Sequence, residues 1–177
     1  MRRDQLEHIL RAASGITGQR EFVVIGSQAI LGQFPDAPDD LLVSMEADVF
    51  CQASPEATDL VDGTIGELSP FQQTFGYYAH GVGPETAILP AGWERRLVRV
   101  ESENTGSGVG LCLEVHDLLI SKLAAGREKD LAFVAVALRH HLARPEEIET
   151  RLPSVPVSPE RLETLRHRLR RALNPDL

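Results

Sequence analysis

The sequence predicts an α/β (α+β) domain: a mixed sheet of short strands flanked by helices, followed by a helical C-terminal part. Three observations carry this expectation. Up to about residue 115, short β-branched and apolar runs alternate with Gly- and Pro-containing turns. Beyond it, apolar residues recur at i, i+3, i+4 and i+7. The 177 residues are 42% hydrophobic and 25% charged. A chain of this length buries roughly 70% of its unfolded surface, enough for one full core.

In chain order, Leu6, Ile9, Leu10 and Ala13 lie on one helical face, which Gly15 and Gly18 close. Residues 22–25 (Phe-Val-Val-Ile) form a short buried strand, broken by Gly26-Ser27. Ser27 is placed to cap a helix over residues 28–34, ahead of Pro35 and Pro38. Residues 41–50 read as a second strand, and helices follow over 54–60, with Pro55 at the start, and 65–75. Strands are expected at 77–82, 86–89 and 97–100, separated by Gly83-Pro84 and Pro90-Ala91-Gly92 turns. Residues 104–110 make a Gly/Ser-rich hairpin or loop, and 111–115 a final strand. Helices follow at 117–125 and 128–142, the latter with a stripe of Leu131, Val134, Ala135 and Leu138. Three prolines make 152–159 a linker to a last amphipathic helix, 159–173, striped by Leu162, Leu165, Leu169 and Leu173. The organisation expected is a domain over residues 1–150, then a linker and basic helix over 151–177.

Charge narrows the classes of function. The net charge is −8 and the pI about 5.2, which argues against general coating of nucleic acid. The sign is unevenly spread: residues 36–103 carry 13 acidic side chains against 3 arginines, residues 121–177 carry 11 basic against 8 acidic. That leaves room for an acidic metal site in the middle and a basic strip at the C-terminus. No apolar run approaches the roughly 18 residues of a membrane span. The opening Met1-Arg2-Arg3-Asp4-Gln5-Leu6-Glu7 lacks the apolar stretch of a signal peptide. Cys51 and Cys112 have no zinc spacing and are too few for a disulfide scaffold, so they read as small buried side chains in a reducing, cytoplasmic compartment. Of 18 basic residues 16 are Arg, and the two lysines, Lys122 and Lys129, stand seven residues apart. Either this is coincidence or a compact ammonium is wanted there.

Three segments could carry chemistry. At the Gly26-Ser27 junction a glycine permits close approach to the backbone, and a helix start offers free N–H groups and a hydroxyl, a combination that suits phosphate. The same residues also describe a plain tight turn with a cap. A dinucleotide fingerprint is excluded, because Gln28 stands where a second glycine is needed, and there is no P-loop. In residues 45–50 (Met-Glu-Ala-Asp-Val-Phe), Glu46 and Asp48 are two apart on one strand and share a face. Two carboxylates that close repel, and a divalent cation with a taste for hard oxygen ligands, Mg²⁺ or Mn²⁺, resolves the repulsion. A solvated acidic edge is the alternative. In residues 121–130, a helix continuing through Gly126 would place Lys122, Gly126, Lys129 and Asp130 on one face, with Asp130 orienting a lysine toward a triphosphate. A solvated helix with i,i+4 ion pairs is the alternative here.

A Gly-Ser turn, a helix and an acid-x-acid strand together resemble the nucleotidyltransferase (polymerase-beta-like) fold. The later Lys122-Leu-Ala-Ala-Gly-Arg-Glu-Lys129-Asp130 segment resembles the lysine and aspartate motifs of abortive-infection nucleotidyltransferase toxins. More closely, residues 24–30, 44–49, 75–82 and 116–133 are similar to a bacterial family described only as nucleotidyltransferase-like, of unknown function, and the similarity spans about residues 5–145. The resemblance implies a metal-dependent transferase moving a nucleotidyl group from a nucleoside triphosphate (NTP) to an RNA, tRNA ends among them, or to a protein side chain. It also implies an antitoxin partner if the chain acts as a toxin. Gly26 and Ser27 would hold phosphates, Glu46 and Asp48 would ligate Mg²⁺ or Mn²⁺, Lys122 and Lys129 would contact the triphosphate, and Asp130 would complete the site. Phe133 stands where the toxins carry a second aspartate, and Glu101 and Glu114 are the candidates for a third carboxylate on a later strand. The alternative is a catalytically inactive member that binds nucleotide or pairs with a protein.

Other residues weigh less. His80, on an expected strand, is a packed or solvent-edge histidine before it is a pocket residue. His116 and Asp117 begin a helix, and His140-His141 mark the end of one. Arg161, Arg166, His167, Arg168, Arg170 and Arg171 surround the last leucine stripe, either as a basic face for RNA or as a solvated helix end.

Overall fold

A computed structural model describes residues 1–174. Its centre is a five-stranded mixed sheet built from β1 (Glu21–Ile25), β2 (Glu46–Phe50), β3 (Tyr78–Gly81), β4 (Val98–Val100) and β5 (Val109–Cys112), in the order β3-β2-β1-β5-β4. The β1–β5 and β2–β3 pairs are parallel, the β1–β2 and β4–β5 pairs antiparallel. The helices are α1 (Arg3–Thr17), α2 (Pro55–Ile65), α3 (Pro70–Phe75), α4 (Val115–Ala125), α5 (Glu128–Arg139), α6 (Pro145–Arg151) and α7 (Pro159–Leu173). The expected class holds: a mixed α/β sheet with flanking helices and a helical C-terminal region. No described helix is long and apolar enough to cross a membrane.

The sheet has two unlike faces. Phe22, Val24, Ala47, Val49, Ala79 and Cys112 alternate onto one of them and are all buried. α1 lies on that side; its Leu10 packs so closely over Gly110 that a β-carbon there would stand 2.7 Å from Leu10 Cδ1. The residues between, Glu46, Asp48, Tyr78 and His80, project from the opposite face. Because β3 and β4 are the two sheet edges, the chain from 82 to 97 must cross that second face, and it brings Thr86 and Ala87 beside Ile25 and Asp48.

Several expected elements come out shorter or different. Residues 41–45 are not strand: Asp39–Leu41 is a 3-10 turn, and pairing starts only at Glu46, opposite Tyr78 where β3 begins. The expected 28–34 helix is a 3-10 turn, Ser27–Gly32, capped by Gly26 with no side-chain bond, so Ser27 does not cap it. The 65–75 helix is cut to α3 by Gly66 and by Leu68 at φ 61, and restarts behind the Ser69 cap. The 86–89 strand is absent, since that stretch is spent on the crossing. α6 occupies residues without a predicted element, and the proline-rich linker begins with a 3-10 turn, Leu152–Ser154.

The C-terminal third is tied down from both ends. Leu165 and Leu169 of α7 are fully buried, while Leu173 at the end of the stripe is exposed. The last three residues of the predicted 151–177 segment lie outside the described ones. α4 stops at Gly126, whose φ of +67 favours glycine, and Arg161 and Arg168 of α7 donate to the Ala124 and Leu123 carbonyls left unpaired at its end. Arg166 pairs with Glu163 and Glu149. Three of the arginines considered for RNA are therefore engaged with protein groups.

A second tie is an ion cluster at the start of α4. Asp117 has no exposed surface and accepts from Arg96 Nε (2.8 Å) and Arg151 Nη1 (2.8 Å). Glu114, the α4 cap, accepts from the His116 amide, holds the His116 ring and pairs with Arg151. Burial alone would push Glu114 up, but His116 and Arg151 outweigh it and hold the carboxyl down at about 2. The folded value lies below the unfolded one of 4.5. The stabilisation is therefore complete above pH 4.5 and lost as pH falls toward 2; it amounts to about 3 kcal/mol. Urea melts of the protein and Glu114→Gln should differ by about that much at pH 6, and the gap should shrink steadily below pH 4.5 and close only below about pH 2; a gap independent of pH would disprove the linkage.

Candidate functional site

The site grows from the end of β1. Gly26 turns the chain at φ +67, and a β-carbon at this position would stand 2.0 Å from Asp48 Oδ2. Only glycine fits there, because the Asp48 carboxylate lies directly over the turn. Asp48 is opposite Ile25, and Glu46 follows on the same face one pleat further along. On the other side of β2, the parallel register sets Tyr78 against Glu46 and His80 against Asp48. Tyr78 donates its hydroxyl to Glu46 Oε2 (3.0 Å), and His80 Nδ1 lies 2.9 Å from Asp48 Oδ1. Burial, then the Glu46 charge, push the Asp48 carboxyl up; His80 and Lys122 only partly offset this. Asp48 is thus a carboxylate short of positive charge.

Facing the acids is a cationic wall supplied by the α4–α5 turn. The two helices are separate, so Lys122, Gly126, Lys129 and Asp130 do not share one helix face as the sequence suggested. The left-handed turn at Gly126 folds α5 back instead, and Lys122 Nζ reaches Asp130 Oδ1 at 3.1 Å. The same ammonium donates to Ser27 Oγ (2.8 Å) and sits 5.2 Å from the centre of the Phe133 ring. Burial pulls the Lys122 pKa down, against the pull of Asp130. Asp130 is fully buried and accepts a second cation, Arg127 Nε, at 2.6 Å. Burial would raise the Asp130 pKa, yet Arg127 and Lys122 together hold it below the usual carboxylate value. Lys129 is exposed and lines a neighbouring cleft.

Two spaces adjoin these groups. A recess of about 70 Å³ lies over Gly26 between Asp48, Lys122, Arg127 and Asp130. It shares Asp130 with an open cleft of about 530 Å³ that Ser27, Glu46 and Lys129 also border. Anionic donors on the sheet and cations on the helical turn, about a glycine turn, form a setting for a polyphosphate with its counter-cation.

The candidate residues divide accordingly. Gly26, Ser27, Glu46, Asp48, Lys122, Lys129 and Asp130 all border these two spaces. Neither candidate third carboxylate does. Glu101 follows β4 at the opposite end of the sheet, paired with Arg20 and Arg99, and Glu114 belongs to the α4 ion cluster. His116 and Asp117 are in that same cluster, and His140-His141 end α5. Cys51 and Cys112 are buried, and burial drives the Cys112 thiol up to about 12. Sequence reasoning passed over Arg127 and Tyr78 and ranked His80 as a packing residue. The Tyr78-x-His80 alternation was readable, but its register against Glu46-x-Asp48 was not.

The donor set fits a hard divalent cation: two carboxylates, one of them destabilised by burial and by its neighbour's charge. Among the described residues no group of three or more His, Cys, Asp or Glu could enclose a metal alone. Such an ion would be held by Glu46 and Asp48 and would complete its shell with water and substrate phosphate, the usual habit of Mg²⁺. No curated protein and no solved structure matches the chain significantly. A family model does match, over residues 4–142, and by it the chain belongs to the family described as nucleotidyltransferase of unknown function (DUF6036).

Proposed function

We propose that the protein binds an NTP together with a divalent cation between the β2 acids and the α4–α5 turn, and transfers its nucleotidyl group to an acceptor hydroxyl. The observation that carries this is the confrontation of Glu46 and Asp48 with Lys122, Arg127 and Lys129 around Gly26. Lys122 Nζ exchanges its bond to Ser27 Oγ for phosphate oxygens, held in place by Asp130. Arg127 and Lys129 take up charge on the departing pyrophosphate. The bare Gly26 turn lets phosphate approach the backbone. When bound, the Mg²⁺ or Mn²⁺ held by Glu46 and Asp48 supplies Lewis-acid polarisation of the α-phosphate and of the attacking hydroxyl.

The acceptor class stays with the family resemblance: an RNA, tRNA ends included, or a protein side chain, with an antitoxin as partner if the chain is a toxin. For an RNA backbone, α7 offers Arg170, Arg171 and His167. The test is incubation with labelled NTPs, Mg²⁺ or Mn²⁺, and total RNA or lysate. The reading predicts a labelled macromolecule that Asp48→Asn does not produce. No label with any of the four triphosphates, together with no effect on growth when overexpressed, would refute transfer.

One observation favours a second reading, a nucleotide-binding or protein-pairing member without turnover: Glu101 and Glu114 lie away from the site, and Asp130 is taken up by Lys122 and Arg127, which leaves Glu46 and Asp48 to hold a metal. That reading predicts thermal stabilisation by triphosphate with no labelled product.

A further inference from the structure

The recess over Gly26, at about 70 Å³, has room for phosphate or a metal ion and little else. The cleft beside it is of another character. Past Ser27, Lys129 and Asp130 its walls turn apolar, made by Leu41 and Val43 on the stretch before β2 and by Ala132, Phe133 and Val136 on α5. Val43 is a large apolar residue left 76% exposed, while Leu41 and Phe133 form a buried floor. At about 530 Å³ the cleft lies within the usual range of small-molecule sites, roughly 300–1,000 Å³. The end beside the recess is charged, with Lys129 next to the Glu46 and Asp130 carboxylates, and the far end is apolar, a division that suits a metal-bound triphosphate at one end and a base at the other.

We propose that this cleft is the nucleoside subsite: the triphosphate lies along Lys122 and Lys129, and the base and sugar lie between Val43 and the α5 face of Ala132 and Val136. The proposal rests on the triphosphate reading above. With polar wall groups limited to Asp40 and Ser44 beyond the phosphate end, the base is held mainly by the apolar area it covers. A purine covers more than a pyrimidine, so the preferred substrates are purine nucleoside triphosphates.

Titration calorimetry of the full chain with Mg²⁺ and either ATP, CTP or inorganic tripolyphosphate tests this. ATP should bind at least about tenfold more tightly than tripolyphosphate, a difference well within what burying a base supplies. CTP should lie between them. Ala132→Trp fills the cleft from an exposed helical position and should remove most of ATP's advantage while leaving tripolyphosphate affinity within about twofold. Val43→Asn, at a still more exposed site, should act in the same direction and serves if Ala132→Trp does not fold. Equal affinity for ATP and tripolyphosphate would overturn the nucleoside subsite while leaving the phosphate site standing. So would variants that weaken both ligands alike. CTP binding as tightly as ATP would overturn the purine preference. Absence of binding by every one of the three ligands would overturn the triphosphate reading itself, a distinguishable failure.

Discussion

Asp117→Ala should cost about 3–5 kcal/mol of stability, the usual penalty for removing one partner of a buried ion cluster. Asp117 is fully buried and holds two guanidiniums, Arg96 at 2.8 Å and Arg151 at 2.8 Å. Without it, two arginines with 29% and 15% of their side chains exposed face each other with only Glu114 and Glu147 nearby. The loss also reaches the site. Arg96 lies near the end of the 82–97 segment that crosses beside Asp48, so releasing it should loosen Thr86 and Ala87 at the wall of the recess. For a chain of this size the melting temperature should fall by about 8–15 °C. Asp117→Asn, which keeps a hydrogen-bonding oxygen, should lose less. A urea melt showing a loss under about 1 kcal/mol would mean the cluster is solvated rather than structural.

The second large effect is expected at Asp130. Asp130→Ala leaves the Lys122 ammonium, only 8% exposed, without its carboxylate. Burial already pulls that lysine's pKa down, so in the variant it should give up its proton more readily or drag the α4–α5 turn open. Stability should fall by about 3 kcal/mol, and triphosphate affinity by at least about tenfold. Lys122→Met separates the two consequences. Methionine keeps the contact over Phe133, and Asp130 retains Arg127, so the fold should lose no more than about 1–2 kcal/mol. Triphosphate affinity should fall as far as in Asp130→Ala. If Lys122→Met binds ATP as the unmodified protein does, the buried ammonium is a packing device and not a phosphate ligand.

How far the sequence alone reaches depends on the range of the physics involved. The amphipathic helices α1, α5 and α7 announce themselves through local periodicity, and β1 through a four-residue apolar run ending in glycine. The Glu46-x-Asp48 pair is readable because period-two geometry is local. By contrast, β2 is shorter than its extended sequence suggests, since it starts only where β3 begins to pair with it. The 86–89 stretch has strand-like residues but must cross the sheet from one edge to the other, a demand of topology. Lys122 and Asp130 meet through a left-handed turn at Gly126, not through helical spacing. His80 and Tyr78 reach the acids only through β2–β3 register, which no single-strand pattern encodes. The candidate third carboxylates fail for the same reason: Glu101 and Glu114 are acidic residues near strand ends, and only the sheet order shows which end.

In the proposed function, Glu46 and Asp48 act with the Lys122–Asp130 turn as one metal-dependent triphosphate site. Titration calorimetry with ATP, with and without Mg²⁺, on the protein and on Asp48→Asn tests it most directly. Asp48→Asn is nearly isosteric over Gly26 and relieves the repulsion by Glu46 that helps push the Asp48 carboxyl up, so its melting temperature should hold or rise. Mg²⁺ should strengthen ATP binding to the protein by at least about tenfold, and Asp48→Asn should abolish this gain while keeping weak, metal-independent binding through Lys122 and Lys129. ATP affinity that is the same with and without Mg²⁺, and unchanged in Asp48→Asn, would contradict it.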